Sequence, residues 1–273
     1  MKDDVDLSVP MAGQSWLEKH FAVNRQMYEA TVRAAGFQPG WHVLDAGSGP
    51  GSYLPLLAQI VGPSGRLTAM DVEADHVAAI ERLAPSLPCP IAARTGSVLE
   101  LPFADAAFDA VWLSNTSVYF TDDEFLRILA ELRRVVRPGG LVAVKDPDMD
   151  LYRVRPLEPW IYAHYIEACM RGGDKPFAKL IRGIMRAGGL RRYLERAGLA
   201  NVRQQSFMQE IWAPLKPLER EWIMEFLTYY RDTAEEFGVP EADMAFWRSP
   251  AHVIDDPELY YREANTLAVG TVP

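Results

Sequence analysis

Residues 43–51 read VLDAGSGPG, and their types and spacing are suited to holding a ligand. Two apolar residues end in Asp45, and glycines follow at Gly47, Gly49 and Gly51 before SYLPLLAQIVG, whose Leu54, Leu57, Ala58 and Val61 recur at helical spacing. Strand, glycine turn and helix open a nucleotide-binding βα unit. Glycine is needed there because a Cβ stops the backbone from approaching a ligand and some turn positions want positive φ. The N–H groups at the start of such a helix suit an anionic group. The spacing is G-x-G-x-G, which differs from the dinucleotide fingerprint G-x-G-x-x-G.

A second acid, Asp71, closes the next apolar run, Leu67–Met70. It follows Gly47 by 24 residues, near the ~20-residue spacing at which an acid at the tip of strand two takes ribose hydroxyls. The alternative reading is a cap on the helix that starts near Glu73. Ser114 and Asn115 lie just past a fourth strand, FDAVWL, and loops at the carboxyl ends of parallel strands form the ligand crevice.

The elements around these residues alternate strand and helix. Residues 14–35 read as one amphipathic helix ending at Gly36, and residues 1–12 read as loose. Thr121-Asp-Asp-Glu124 is a capping box for a helix that ends at Arg137-Pro-Gly-Gly140, a sharp turn into strand five, LVAVK. Residues 188–214 return a helix (LRRYLERAGL) and a sixth strand, and 259–273 a last strand. Two stretches, 151–187 and 215–258, interrupt this order with aromatic-rich helical material. They either form their own core or make a lid over a planar, apolar pocket.

The whole pattern D-x-G-x-G-x-G, with LPF at Leu101–Phe103, Phe108-Asp109 and the phrase LRRVVRPGG, resembles the class I S-adenosylmethionine (SAM) methyltransferases, notably the group related to quinone and sterol methylating enzymes. The resemblance implies an α/β, Rossmann-like, doubly wound sheet of seven strands, the last antiparallel between strands five and six, with inserted helical lid segments. It divides the chain into a helical segment over the cofactor site (1–36), a SAM-binding core (37–150), a lid insertion (151–187), a returning helix and strand (188–214), a second insertion (215–258) and a terminal strand (259–273). It further implies that Asp45, Gly47, Ser48, Gly49 and Gly51 hold the methionine part of the cofactor. Asp71 and Val72 then meet the ribose, Gly96, Ser97 and Val98 the adenine, and Ser114 and Asn115 the methionyl end. Ser97 departs from the Asp that many relatives carry. The product would be S-adenosylhomocysteine.

The cofactor's methyl is already activated, so alignment is the main task, and a base is needed only for a protonated acceptor. His164, beside Trp160 and Tyr165 on an inserted helix, is the candidate base; a structural histidine is the competing reading. Tyr119, Trp160 and Tyr165 are candidate substrate contacts. His20, His42, His76 and His252 have no evident constellation. Asp146, Asp148 and Asp150 read as turn and cap residues, so no metal is expected. Two rival functions remain: a nicotinamide oxidoreductase on a similar fold, and a SAM-binding protein that only binds ligand or catalyses cyclisation.

A net charge of −9 disfavours nucleic acid and leaves a small molecule as partner. The basic run Arg182, Arg186, Arg191, Arg192 and Arg196 reads as a solvated helical face. No apolar run approaches the ~18 residues of a membrane span, so no stable membrane insertion is expected. With only two cysteines, Cys89 and Cys169, the expected compartment is the cytoplasm. The oligomeric state is not readable.

Overall fold

A computed structural model describes residues 14–273, with side chains from Trp16 onward; the reading of residues 1–12 lies outside them. The chain begins with α1 (Gln14–Val23) and α2 (Arg25–Ala35). Then come β1 (His42–Ala46), α3 (Leu54–Val61), β2 (Arg66–Asp71), α4 (Ala74–Leu83), β3 (Ile91–Thr95), β4 (Phe108–Ser114), α5 (Asp122–Val135) and β5 (Val136–Pro147). The rest is β6 (Arg153–Arg155), α6 (Pro159–Met170), α7 (Pro176–Ile184), α8 (Leu190–Arg196), β7 (Ala200–Trp212), α9 (Pro217–Phe237), α10 (Glu241–Trp247), α11 (Pro250–Ile254) and β8 (Tyr260–Thr271).

Strands β3-β2-β1-β4-β5 are parallel, and β8 runs antiparallel to both β5 and β7. This is the expected doubly wound order. The described sheet has eight strands, not seven, because the short β6 also pairs with Tyr260–Arg262 of β8. The central strand β4 is buried along nearly its whole length, which is why FDAVWL is apolar without alternation. One face of the sheet packs α5 and α8 through Phe125, Ile128, Leu132 and Leu194. The other packs α2 and α3 through Val32, Leu54, Leu57 and Trp112.

Local signals explain most boundaries. Thr121 caps α5 reciprocally with Glu124, and Gly36 ends α2 in the left-handed conformation. Three features depart from the sequence reading. The single helix over 14–35 is two helices, divided at Asn24, whose buried side chain donates to the His20 carbonyl and to Glu263. Arg137–Gly140 lies within β5 as an irregularity opposite Phe108–Ala110, so the expected turn is a disturbance inside the strand. Arg186 is buried, donating to Asp122 and to the Ser117 and Phe120 carbonyls, so the basic run is not uniformly solvated. Arg191, Arg192 and Arg196 are exposed as expected.

Helices α6, α7, α9, α10 and α11 share a separate core with Tyr165, Phe177, Trp222, Tyr230 and Trp247 buried in it. Lys19 pairs with Glu221 and Glu225, tying α1 to α9. No described helix is long and apolar enough to cross a membrane.

Candidate active site

A cleft of about 680 Å³ opens at the carboxyl ends of β1, β2 and β4, within the size range of small-molecule and cofactor sites. Of the residues singled out for a cofactor, it gathers Asp45, Gly47, Ser48, Gly49, Asp71, Val72, Gly96, Ser97, Val98, Ser114 and Asn115. Gly51 is not among the lining residues. Its φ is +90°, and an added Cβ would meet Leu54 and Ile80, so it serves the turn into α3.

Gly47 shows why the loop needs glycine: its φ is +67°, and a Cβ there would fall on the Thr116 side chain. The N–H groups of Gly47, Ser48 and Gly49, in the loop ahead of α3, are partnered within the protein. Those of Gly47 and Ser48 donate to the Met70 carbonyl at 2.8 and 3.0 Å, and that of Gly49 to Asp71 Oδ2 at 2.7 Å. The unpartnered groups are side chains instead. Asp45 Oδ2, Ser48 Oγ, Tyr53 Oη and Ser114 Oγ are buried without a hydrogen-bond partner, and all four residues line the cleft. Native proteins rarely leave such groups unsatisfied. Burial, with a smaller contribution from Asp71, pushes the Asp45 carboxyl up to about 8. A ligand bearing an ammonium and a carboxylate would supply the missing partners.

Asp71 is held from two further sides, Oδ1 accepting from the Glu73 N–H at 3.0 Å and facing His76 Nδ1 at 3.1 Å. The hydrogen bond to Asp71 is the main reason the His76 pKa is raised. The N-cap of α4 is Glu73, so Asp71 joins the glycine loop to the helix start rather than capping it. Ser97 Oγ accepts from the Leu99 N–H at 3.2 Å, which fixes the turn below Val98. Asn115 is left-handed at φ +53°. Lys145 holds it there, donating to Asn115 Oδ1 at 2.7 Å from a fully buried position over the Tyr28 ring. Burial brings the Lys145 pKa down to about 7.

Tyr119 lines the cleft as expected, its hydroxyl pushed up to about 12 by burial and then by Asp71 and Asp146. The other acceptor-side candidates are elsewhere. His164 is half-exposed, its Nδ1 2.6 Å from Asp243 Oδ2, and it lies outside the cleft lining. Trp160 is 55% exposed and Tyr165 is fully buried against Thr233, neither reaching the cleft. The inserted helices bury their aromatics in their own core and contribute no lining residue. Asp146 lies within β5 and accepts from Ser117, and Asp148 accepts from Thr266 without capping through its side chain, so neither acts as the turn or cap residue expected. Among the described residues no cluster could hold a metal ion.

The remaining wall comes from residues that spacing did not reveal. Leu17, His20 and Phe21 of α1, Tyr28 of α2 and Tyr53 all line the cleft. His20 has a clear constellation: Nε2 lies 2.5 Å from Glu263 Oε1, and its ring stacks on Trp222 at 4.7 Å and 12°. Helical phase could have flagged His20, Asn24 and Tyr28 as one face. Nothing local pointed to Glu263, 243 positions away.

Fold and cleft together define a Rossmann-like α/β core with a cleft at its strand ends. Residues 43–140 match the methyltransferase domain family. The chain is 28% identical over 197 residues to demethylmenaquinone methyltransferase of Staphylococcus aureus, covering 68% of this chain and 79% of that one. A 37.1 kDa protein of transposon TN4556 from Streptomyces fradiae is 35% identical over 126 residues, 46% of this chain and only 36% of that protein. Among solved structures, Haemonchus contortus phosphoethanolamine N-methyltransferase 2, in complex with S-adenosyl-L-methionine, superimposes with a TM-score of 0.57 at 14% identity. That likeness covers 98% of this chain and 59% of the nematode one, and it concerns the fold.

Proposed function

We propose that the protein is a SAM-dependent methyltransferase acting on an O or C atom of a small, planar, largely apolar molecule. The observation that carries the cofactor assignment is the set of orphaned polar groups on Asp45, Ser48, Tyr53 and Ser114, all of which line the cleft. They match an amino-acid zwitterion, and Asp71 at the tip of β2 matches vicinal ribose hydroxyls. In this reading Gly96, Ser97 and Val98 take the adenine, while Gly47 and Gly49 keep the floor open. When bound, SAM supplies a methyl group on a cationic sulfur, activated for in-line displacement. The chain's own contribution is alignment and exclusion of water.

On the acceptor side, Phe21, Tyr119 and Phe120 offer aromatic surface. The similarity to a demethylmenaquinone methyltransferase supports a planar ring as acceptor. Calorimetric titration with SAM and S-adenosylhomocysteine, with NAD(P)H as control, tests the cofactor. Micromolar binding of the first two alone is the expected result. Binding of NAD(P)H alone would return the oxidoreductase reading. Mass analysis after incubation with reduced demethylmenaquinone tests the acceptor class, a gain of one methylene marking transfer.

A further inference from the structure

His20 and Glu263 form a buried pair in the wall of the cleft, joining the first described helix to the last strand. Glu263 is 1% exposed and accepts three hydrogen bonds or ion-pair contacts: from His20 at 2.5 Å, Tyr261 Oη at 3.0 Å and Asn24 Nδ2 at 3.2 Å. Burial raises its pKa, and the pairing with His20 and the bonds from Tyr261 and Asn24 bring it below the usual carboxylate range. Its carboxylate is held against Nε2 by these partners. An anion at Nε2 sets the tautomer of a neutral imidazole, with the proton on Nε2 and the lone pair on Nδ1. The Tyr28 hydroxyl lies 3.1 Å from Nε2 and 3.4 Å from Nδ1, the second too long for a good hydrogen bond. Trp16 and Trp222 pack on the ring, and His20, 8% exposed, is one of the residues lining the cleft. The other charged or titratable neighbours are Lys145, whose charge reaches Glu263, and Lys19, already paired with Glu221 and Glu225.

A histidine oriented by a buried carboxylate in the wall of a cleft is the arrangement of a general base. We propose that His20 is the catalytic base, that Glu263 is its positioning residue, and that the acceptor is a ring-bound hydroxyl delivered in its protonated form. This rests on the methyltransferase reading above. The hydroxyl proton passes to His20 Nδ1, and the freed oxygen pair forms the new O–C bond. The C–S pair leaves with sulfur as a neutral thioether. The positive charge lost at sulfur reappears on the imidazolium beside the Glu263 carboxylate, so the step separates no new charge.

The test uses the full chain, with S-adenosylhomocysteine, SAM and 2-naphthol as probes. Long-range ¹H–¹⁵N spectra with S-adenosylhomocysteine bound at pH 8 should find His20 protonated at Nε2 alone. Protonation at Nδ1, or at both nitrogens, overturns the proposal. His20→Gln should bind S-adenosylhomocysteine within about twofold of wild type while kcat for 2-naphthol falls roughly 10²–10⁴-fold. A tenfold weaker affinity would mean that His20 holds the cofactor instead, and an unchanged kcat would also overturn the base. Glu263→Gln should lower kcat with KM for 2-naphthol unchanged and should shift the His20 tautomer; a retained tautomer rejects the positioning role. Wild type that binds SAM but does not methylate 2-naphthol rejects the ring-hydroxyl class. If wild type fails to bind SAM at all, the proposed function itself fails.

Discussion

The two walls of the cleft are built on different principles. The wall from Asp45 to Asn115 comes from one continuous stretch, shaped by left-handed glycines and strand ends, and it keeps buried polar side chains unpartnered. The wall of His20 and Tyr28 is assembled across 243 positions and rests on the hydrogen-bonded pair of His20 and Glu263. The first wall awaits a ligand to complete it. The second ties α1 and α2 to β8 through the buried Glu263, so its loss is felt by the fold as well as by the chemistry.

That contrast predicts different failures. Glu263→Ala leaves His20 and Asn24 facing a cavity, and removing one partner of a buried pair costs about 3–5 kcal/mol; chemical denaturation should register this as a lower midpoint. Gly47→Val, on the other wall, should cost about 3 kcal/mol of stability, since left-handed strain and collision with Thr116 are present in the free protein. A loop that shifts to relieve them should also bind the cofactor more weakly by calorimetry. Asp71→Ala should weaken SAM binding by ~1–3 kcal/mol, and unchanged affinity would reject the ribose assignment.

The Asp45 prediction is one of sign. Its folded pKa, about 8, lies above the unfolded carboxylate value, so the ligand-free fold binds the extra proton. The stability Asp45 contributes is present below about pH 4 and is lost as pH rises to about 8, with a slope near 1.4 kcal/mol per unit. Asp45→Asn should remove that slope from the difference between the variant and wild-type stability curves. If the curves stay parallel from pH 5 to 8, Asp45 is ionised in the free protein and the contrast between the walls weakens.

The same contrast decides what was legible in the sequence. Asp45, Asp71 and Ser114 could be found because strand, turn and helix succeed one another within a few residues, and strand ends in a parallel sheet face one crevice. Inward-facing runs such as FDAVWL and the capping box at Thr121 gave the core its order for the same local reason. His20 and Glu263 carry no local signal, since their meaning is a pairing between distant elements. Lys145 looked like the end of a strand, and only its full burial beneath Asn115 reveals a role. His164 drew attention through aromatic neighbours in sequence, but on a helix those neighbours point in different directions. Tyr165 turns into the helical core, Trp160 faces outward, and His164 meets Asp243.

The position of β8 has a consequence for the order of events during synthesis. This strand lies between β5 and β7 and carries Glu263. Until it emerges from the ribosome, the edge of β5 lacks its antiparallel neighbour and His20 lacks its carboxylate partner. The strands flanking the glycine loop, β1, β2 and β4, pair with one another and are all synthesised before β8. A nascent chain can therefore shape a pocket for the cofactor well before it owns the wall that meets the acceptor.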